Sequence, residues 1–453
     1  MPIPPQSPIP FRDALRIWWR IGLTSFGGPA GQIALMHRLL VEELRWIGER
    51  RFLHALNYCM LLPGPEAQQL AIYLGWLMHR TAGGIVAGVL FVLPGFVVIL
   101  VLSMLYAAAH DAPLVEAAFY GIKAAVLAIV LEAVLRIGRR TLRRPFPLAL
   151  AATAFVAIFF FAVPFPWIVL TAGLAGLAAG RLAPHWLPSL HEQDKDGGAP
   201  PALLDRLLET GAEHLRPSLG RALRVLGICL ALWAAPIVLA AWLAGRDDVF
   251  VELGVFFSKM AVVTFGGAYA VLSYVAQEAV MHYGWLAPGE MIDGLALAET
   301  TPGPLILVVE FVGFLAAWRD AGTLDPWLAG TLGALLVTWV TFVPCFLWIF
   351  LGAPHVERLR ESAVLAGALA GVTAAVTGVV LNLALWFGMH ALFGTVGGVS
   401  TEWLEFSMPV WHTFDAVAAS IAAAAFLALF KTRLGILCVL ALAAAAGMVS
   451  RYF

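Results

Sequence analysis

The sequence predicts an all-α integral membrane protein made of two homologous halves in inverted orientation. It carries about 10–13 membrane segments, with helices broken or re-entrant at Phe-Gly-Gly and Pro-Gly-Pro motifs. Three observations lead there. The 453 residues are 61% hydrophobic and 13% charged, with a mean hydropathy of +0.86, far more apolar than a dispersed soluble domain. A repeat runs through the chain at a constant offset. And Pro-Gly-Pro interrupts an apolar segment in each half, where proline removes a backbone donor and blocks an unbroken helix.

In chain order, residues 1–10 form a proline-rich tail without the apolar run of a signal peptide. The first repeat is expected over residues 11–184, a cytoplasmic linker over 185–220, and the second repeat over 221–453, with a linking helix at 221–245 and a core at 250–453. Several runs lack Asp, Glu, Lys and Arg over a bilayer's thickness: 82–109, 225–245, 326–354 and 362–389. Residues 145–180 fit two short spans with Val163–Trp167 as the turn between them. The linker contains Asp194-Lys195-Asp196-Gly197-Gly198 and Ala199-Pro200-Pro201, with room for one short surface helix. Cys59, Cys229, Cys345 and Cys438 stand apart in apolar stretches and read as small buried hydrophobes, not metal ligands.

At an offset of 239, Phe26-Gly27-Gly28 matches Phe265-Gly266-Gly267, Trp46 matches Trp285, and Pro63-Gly64-Pro65 matches Pro302-Gly303-Pro304. The same offset pairs Arg20 with Lys259. Beyond a loop inserted in half two, the offset becomes 250 and pairs Pro94 with Pro344 and Gly121 with Gly371. Arginine placement sets the halves against each other. The loop 136–144 carries five arginines, whereas its counterpart, 391–409, has no Lys or Arg. Arg38, Arg45, Arg50 and Arg51 lie between the two motifs of half one, while 277–290 has none. Segments 11–36 and 52–80 are therefore either re-entrant hairpins with the motifs at their tips or plain spans. Both versions put the N-terminus inside and the C-terminus outside.

A helix that restarts inside the membrane exposes free N–H groups and the positive end of its dipole, which suits an anion. The candidate anion contacts are Ser25, Phe26, Gly27, Gly28, Pro63, Gly64, Pro65, Thr264, Phe265, Gly266, Gly267, Thr301, Pro302, Gly303 and Pro304. Thr301 is expected to cap the restarted helix, with Pro302 at its first position. The bland alternatives are a packing kink at each Pro-Gly-Pro and a tight helix contact at each glycine pair. Arg20, Lys123 and Lys259 are the candidate charges. Lys123, alone in an apolar run, either faces a cavity or pairs with Glu116 or Glu132. Glu66, Glu299 and Glu310 flank the tips as candidate proton-coupling carboxylates or partners for these bases. No phosphate loop, zinc helix or nucleophile elbow occurs, so no enzyme activity, cofactor or metal is expected, and the net charge of −1 gives no reason to expect nucleic acid.

The duplicated Phe-Gly-Gly, the downstream Trp, the Pro-Gly-Pro of each half and Gly121-Ile122-Lys123-Ala124-Ala125 resemble the two-domain chromate ion transporters, over about residues 11 to 453. The resemblance implies a bacterial inner-membrane protein that exports chromate, a tetrahedral dianion shaped like sulfate, and so confers chromate resistance. Sulfate or another oxyanion, carried by a transporter or exchanger, and a passive anion channel are the alternatives. The partners expected are chromate or sulfate and the lipid bilayer, with a homodimer left open.

Overall fold

The computed structural model describes residues 9–26, 28–109, 112–183, 186, 202–204, 218–265, 268–355, 363–400, 405–432 and 434–452. Half one comprises α1 (Phe11–Thr24), α2 (Gly28–His37), α3 (Glu49–Cys59), α4 (Glu66–Ala109), α5 (Pro113–Thr141), α6 (Pro145–Phe161) and α7 (Phe165–Leu182). Half two comprises α8 (Leu219–Leu243), α9 (Val249–Val263), α10 (Ala268–Gln277), α11 (Pro288–Thr300), α12 (Val308–Arg319), α13 (Pro326–Gly352), α14 (Ala363–Leu392), α15 (Ala416–Lys431) and α16 (Ile436–Tyr452). A small antiparallel ribbon, β1 (Val396–Ser400) and β2 (Glu405–Pro409), joins α14 to α15, an addition to the all-helical expectation.

Local chemistry sets many of the helix starts. Proline opens α5, α6, α7, α11 and α13, where its missing N–H costs nothing. The side chains of Asp248, Asp325 and Asp415 accept backbone N–H groups in the first turns of α9, α13 and α15. Among the described residues, six helices are long and apolar enough to cross a bilayer. They include α13 and most of α14, matching the uncharged runs, while α6 and α7 divide the 145–180 run at the expected turn.

The helices beside the motifs are different. α1, α2, α3, α9, α10, α11 and α12 have 10 to 15 residues each. At about 1.5 Å per residue none reaches across a hydrocarbon core of about 30 Å. α4 is also divided, because His79 (φ −136, ψ 31) and Arg80 (φ 55, ψ −149) are non-helical. Residues 66–78 then pack back on 81–109, and a Cβ added at Gly75 would lie 2.4 Å from the Gly83 carbonyl oxygen. Half two makes the same reversal, with Gly313 of α12 against Gly333 of α13.

The halves interlock. α5 packs along α15 and α16 of the other half, and α14 packs along α6 and α7. Each pairing has a close approach that needs glycine: a Cβ on Gly121 would sit 1.9 Å from the Ala443 oxygen, and one on Gly371 would sit 2.4 Å from the Ala172 oxygen. These glycines are the pair related by the offset of 250. α12 is the most enclosed element, with every residue from Val308 to Ala317 buried, whereas α8 buries only Cys229. Three of the four cysteines are buried as expected. Cys438 is exposed on α16, a correction that follows from the outer position of that helix.

Gly121→Ala should lower the thermal midpoint of detergent-solubilised protein, since overpacking of this kind costs about 1–3 kcal/mol. Gly227→Ala on α8, where nothing lies within 4 Å, should leave the midpoint unchanged or raise it. Equal midpoints for the two variants would refute the close crossing.

Candidate functional site

Each Phe-Gly-Gly follows the end of one short helix, and each Pro-Gly-Pro separates two others. Ser25 closes α1 and Thr264 closes α9; their hydroxyls donate to Ile21 O and Met260 O, both at 2.6 Å and both four residues back. The amides of Phe26 and Phe265 then donate to Thr24 O and Val263 O in matching tight turns. Gly27, Gly266 and Gly267 lie outside the described residues. Gly28 opens α2 at φ +71, and Gly64 and Gly303 stand at φ +120 and +99, a region other residues avoid.

The four tips meet, and they do so crosswise. The Gly303 amide donates to Ser25 O at 2.9 Å, and the Gly64 amide donates to Thr264 O at 2.7 Å. Each Pro-Gly-Pro is therefore bonded to the Phe-Gly-Gly turn of the opposite half. Half one adds two amide side chains: Gln32 Nε2 donates to Gly303 O at 2.5 Å, and Gln69 Nε2 donates to Pro63 O at 2.6 Å. Around this junction lies a cleft lined by Pro29, Gln32, Pro65, Glu66, Ala67, Ala268, Pro304, Leu305 and Ile306. Its wall is thus made from the first turns of α2, α4 and α10 and of the short 3-10 turn that leads into α12. Four helix starts bring four partial positive charges and their free first-turn amides to one place.

The cleft is narrow, about 10 Å³, room for roughly one water molecule. It also contains chemistry that opposes an anion, since Glu66 lines it with Oε2 buried and without a hydrogen-bond partner. Oε1 of Gln32 and of Gln69 is likewise buried without a partner.

Thr301 does not cap a restarting helix. It follows the last residue of α11, with its hydroxyl donating back to Ala298 O at 3.1 Å. Pro302, Gly303 and Pro304 occupy the turn itself, so the chain becomes helical again only at Leu305. The candidate bases are not in the cleft. Arg20 and Lys259 lie on exposed faces of α1 and α9, a little over one turn before the tips. Lys123 pairs with neither Glu116 nor Glu132: its Nζ is 3.1 Å from Oδ2 of Asp293 on α11, which also accepts from Tyr106 at 2.8 Å. The pair ties the two halves together across α5 and α11. Glu299 accepts from the Tyr269 hydroxyl, and Glu310 is fully buried with neither oxygen partnered.

Gln32, Gln69, Asp293, Tyr106 and Tyr269 escaped the sequence reading. The available signal was a polar side chain inside an apolar run, the criterion that singled out Lys123.

The sequence profile described as Chromate transporter matches residues 12–177 and 251–448. A chromate transport protein of Pseudomonas aeruginosa is 32% identical over 367 residues, 80% of this chain and 76% of that protein. One from Cupriavidus metallidurans is 29% identical, covering 78% and 77%, and a probable chromate transport protein of Synechococcus elongatus is 26% identical, covering 82% and 83%. No solved structure matches the chain. With both repeats matched and the apolar helices of a multi-pass membrane protein in place, the chain belongs to the chromate transporter family.

Proposed function

We propose that this protein is a secondary transporter that exports chromate from the cytoplasm across a bacterial inner membrane, and that it binds the dianion between the four tips. The observation that carries the reading is the convergence of four helix starts on one enclosed cleft. First-turn amides supply the contacts, and the Ser25, Thr264 and Thr301 hydroxyls join them by turning their protons away from Ile21 O, Met260 O and Ala298 O. Because the cleft is smaller than any tetraoxyanion, binding requires the tips to part, which favours a gated carrier over an open channel. Sulfate has the same shape and charge and is the expected competitor.

Export runs downhill for a dianion leaving an inside-negative cell: one charge across 100 mV is worth about 2.3 kcal/mol, and a dianion gains about twice that. Glu66 gives the site a link to protons. An ionised Glu66 and a dianion repel each other in a space this small, so occupancy favours the protonated acid. Glu299 and Glu310 are further carboxyls on the same tip-bearing elements.

The halves are read as inverted, with divisions at 11–184 and 221–453. His79 Nε2 hydrogen-bonds Ile9 O, and the amides of Leu203 and Leu204 in the linker donate to Arg45 O and Trp46 O. Four crossings, 81–109 and α5 to α7, separate the break at His79 from the linker and return the chain to one side. Residues 9, 45, 79 and 203 therefore share a face, which the arginines mark as cytoplasmic. On this reading 11–36 and 52–80 are re-entrant hairpins. The N-terminus is cytoplasmic and the C-terminus periplasmic.

Purified protein in proteoliposomes should show saturable chromate counterflow that sulfate inhibits and chloride does not. Gly64→Ala and Gly303→Ala should each lower it by about tenfold, since a non-glycine residue at positive φ costs about 1–2 kcal/mol. Counterflow that is absent, or insensitive to both variants, would contradict the proposal. In a chain stripped of native cysteines, an impermeant maleimide applied outside intact spheroplasts should label His282→Cys and spare Glu43→Cys. Labelling of Glu43→Cys would rule out the hairpins.

A further inference from the structure

The arginine-rich end of α5 does more than mark a membrane side. Arg136, Arg139 and Arg143 are spaced three and four residues apart, so they share one helix face. With Glu132, Leu135 and Phe430 they line a recess of about 320 Å³, at the lower end of small-molecule sites, which run from about 300 to 1,000 Å³. Glu132 is gripped by Nε and by a terminal nitrogen of Arg136, so one of the three cations is already neutralised. Among the described residues, no carboxylate pairs with Arg139 or Arg143. The Arg143 Nε donates to the Arg139 backbone carbonyl, which holds the third guanidinium back against the last turn of α5. The recess therefore carries two uncompensated positive charges on planar donor forks, the charge that balances a dianion and the donor type that suits its oxygens.

Arg136 interacts electrostatically with Tyr269 and Glu299. Tyr269 donates to Glu299, and the next residues along the chain are Thr300, Thr301 and the second Pro-Gly-Pro. A basic recess on the arginine-rich side thus lies within electrostatic reach of Glu299, on the element that closes the cleft. A merely solvated charged face would lack this connection.

We propose that the recess formed by Arg136, Arg139 and Arg143 is a cytoplasmic loading site, where the tetrahedral dianion docks before it reaches the tips. This rests on the transport reading above. Glu132 acts as the resident counter-charge: an anion that takes Arg136 displaces it, and Arg136 is then free of its carboxylate as the anion moves inward. The same guanidinium chemistry would hold the phosphate of an anionic lipid, so the test separates the two sources.

The experiment measures initial chromate flux against chromate concentration at the cytoplasmic face of full-length protein in liposomes. Phosphatidylcholine alone is compared with phosphatidylcholine containing phosphatidylglycerol. Arg139→Ala combined with Arg143→Ala should raise the half-saturating concentration by about tenfold, the loss of two solvent-exposed charge contacts, with the maximal rate retained and in both lipid mixtures. Arg181→Ala, an exposed arginine at the end of α7, controls for general surface charge and should leave the curve in place. An unchanged half-saturation in the double variant, with monodisperse protein, would overturn the loading site and leave the transport reading intact. An effect confined to the phosphatidylglycerol mixture would also overturn it, in favour of a lipid headgroup. Absence of chromate flux in the unmodified protein would instead sink the transport reading, and this proposal with it.

Discussion

Much of this fold follows from the cost of breaking a helix in an apolar interior. A turn there frees amides and carbonyls that apolar surroundings cannot satisfy, at several kcal/mol for each unpaired group. Here each half satisfies the other. The Gly64 amide reaches Thr264 O, the Gly303 amide reaches Ser25 O, and neither Pro-Gly-Pro turn bonds to its own Phe-Gly-Gly turn through these amides. The long helices repeat the exchange, with α5 packed on α15 and α16 and α14 on α6 and α7. The halves are thus two copies of one plan that complete each other.

Within that balanced frame the chemistry is unequal. Half one contributes Glu66, Gln32 and Gln69 to the junction, while the corresponding positions in half two are Leu305, Val271 and Val308. Half two contributes Thr300 and Thr301 where half one has Leu61 and Leu62. A frame with two near-equivalent arrangements allows alternation, and unequal contents make the two arrangements differ in what they bind. The Lys123 to Asp293 pair is the rigid counterpart: a half-buried ion pair between halves resists separation, because parting it would strand the buried Asp293 carboxylate.

Much of this was legible in the residues. Pro-Gly-Pro cannot continue a helix, so both of these turns and the repeat stand out in the bare sequence. The partners of the tips did not. A backbone hydrogen bond between Gly64 and Thr264 involves no side chain and leaves no pattern to read. Thr301 was misread because threonine before proline opens helices as readily as it closes them, and only the following Gly303, at φ +99, decides between the two. Lys123 stands out as a charge in an apolar run, but its partner Asp293 is 170 positions away, too far for spacing to suggest. The ribbon at 396–409 went unseen because its five-residue strands, one with paired glycines, carry little pattern. The short surface helix expected in the linker falls largely on residues outside those described.

The central claim is that the four interrupted tips enclose the anion. A cryo-electron microscopy map of the protein in nanodiscs with tungstate, a heavy tetrahedral dianion, tests it most directly. The account predicts a compact strong density bounded by Gln32, Glu66, Ala268 and Leu305, absent from a tungstate-free map. Density elsewhere in the molecule with this cleft empty, or tips that stand apart and face acyl chains, would contradict it.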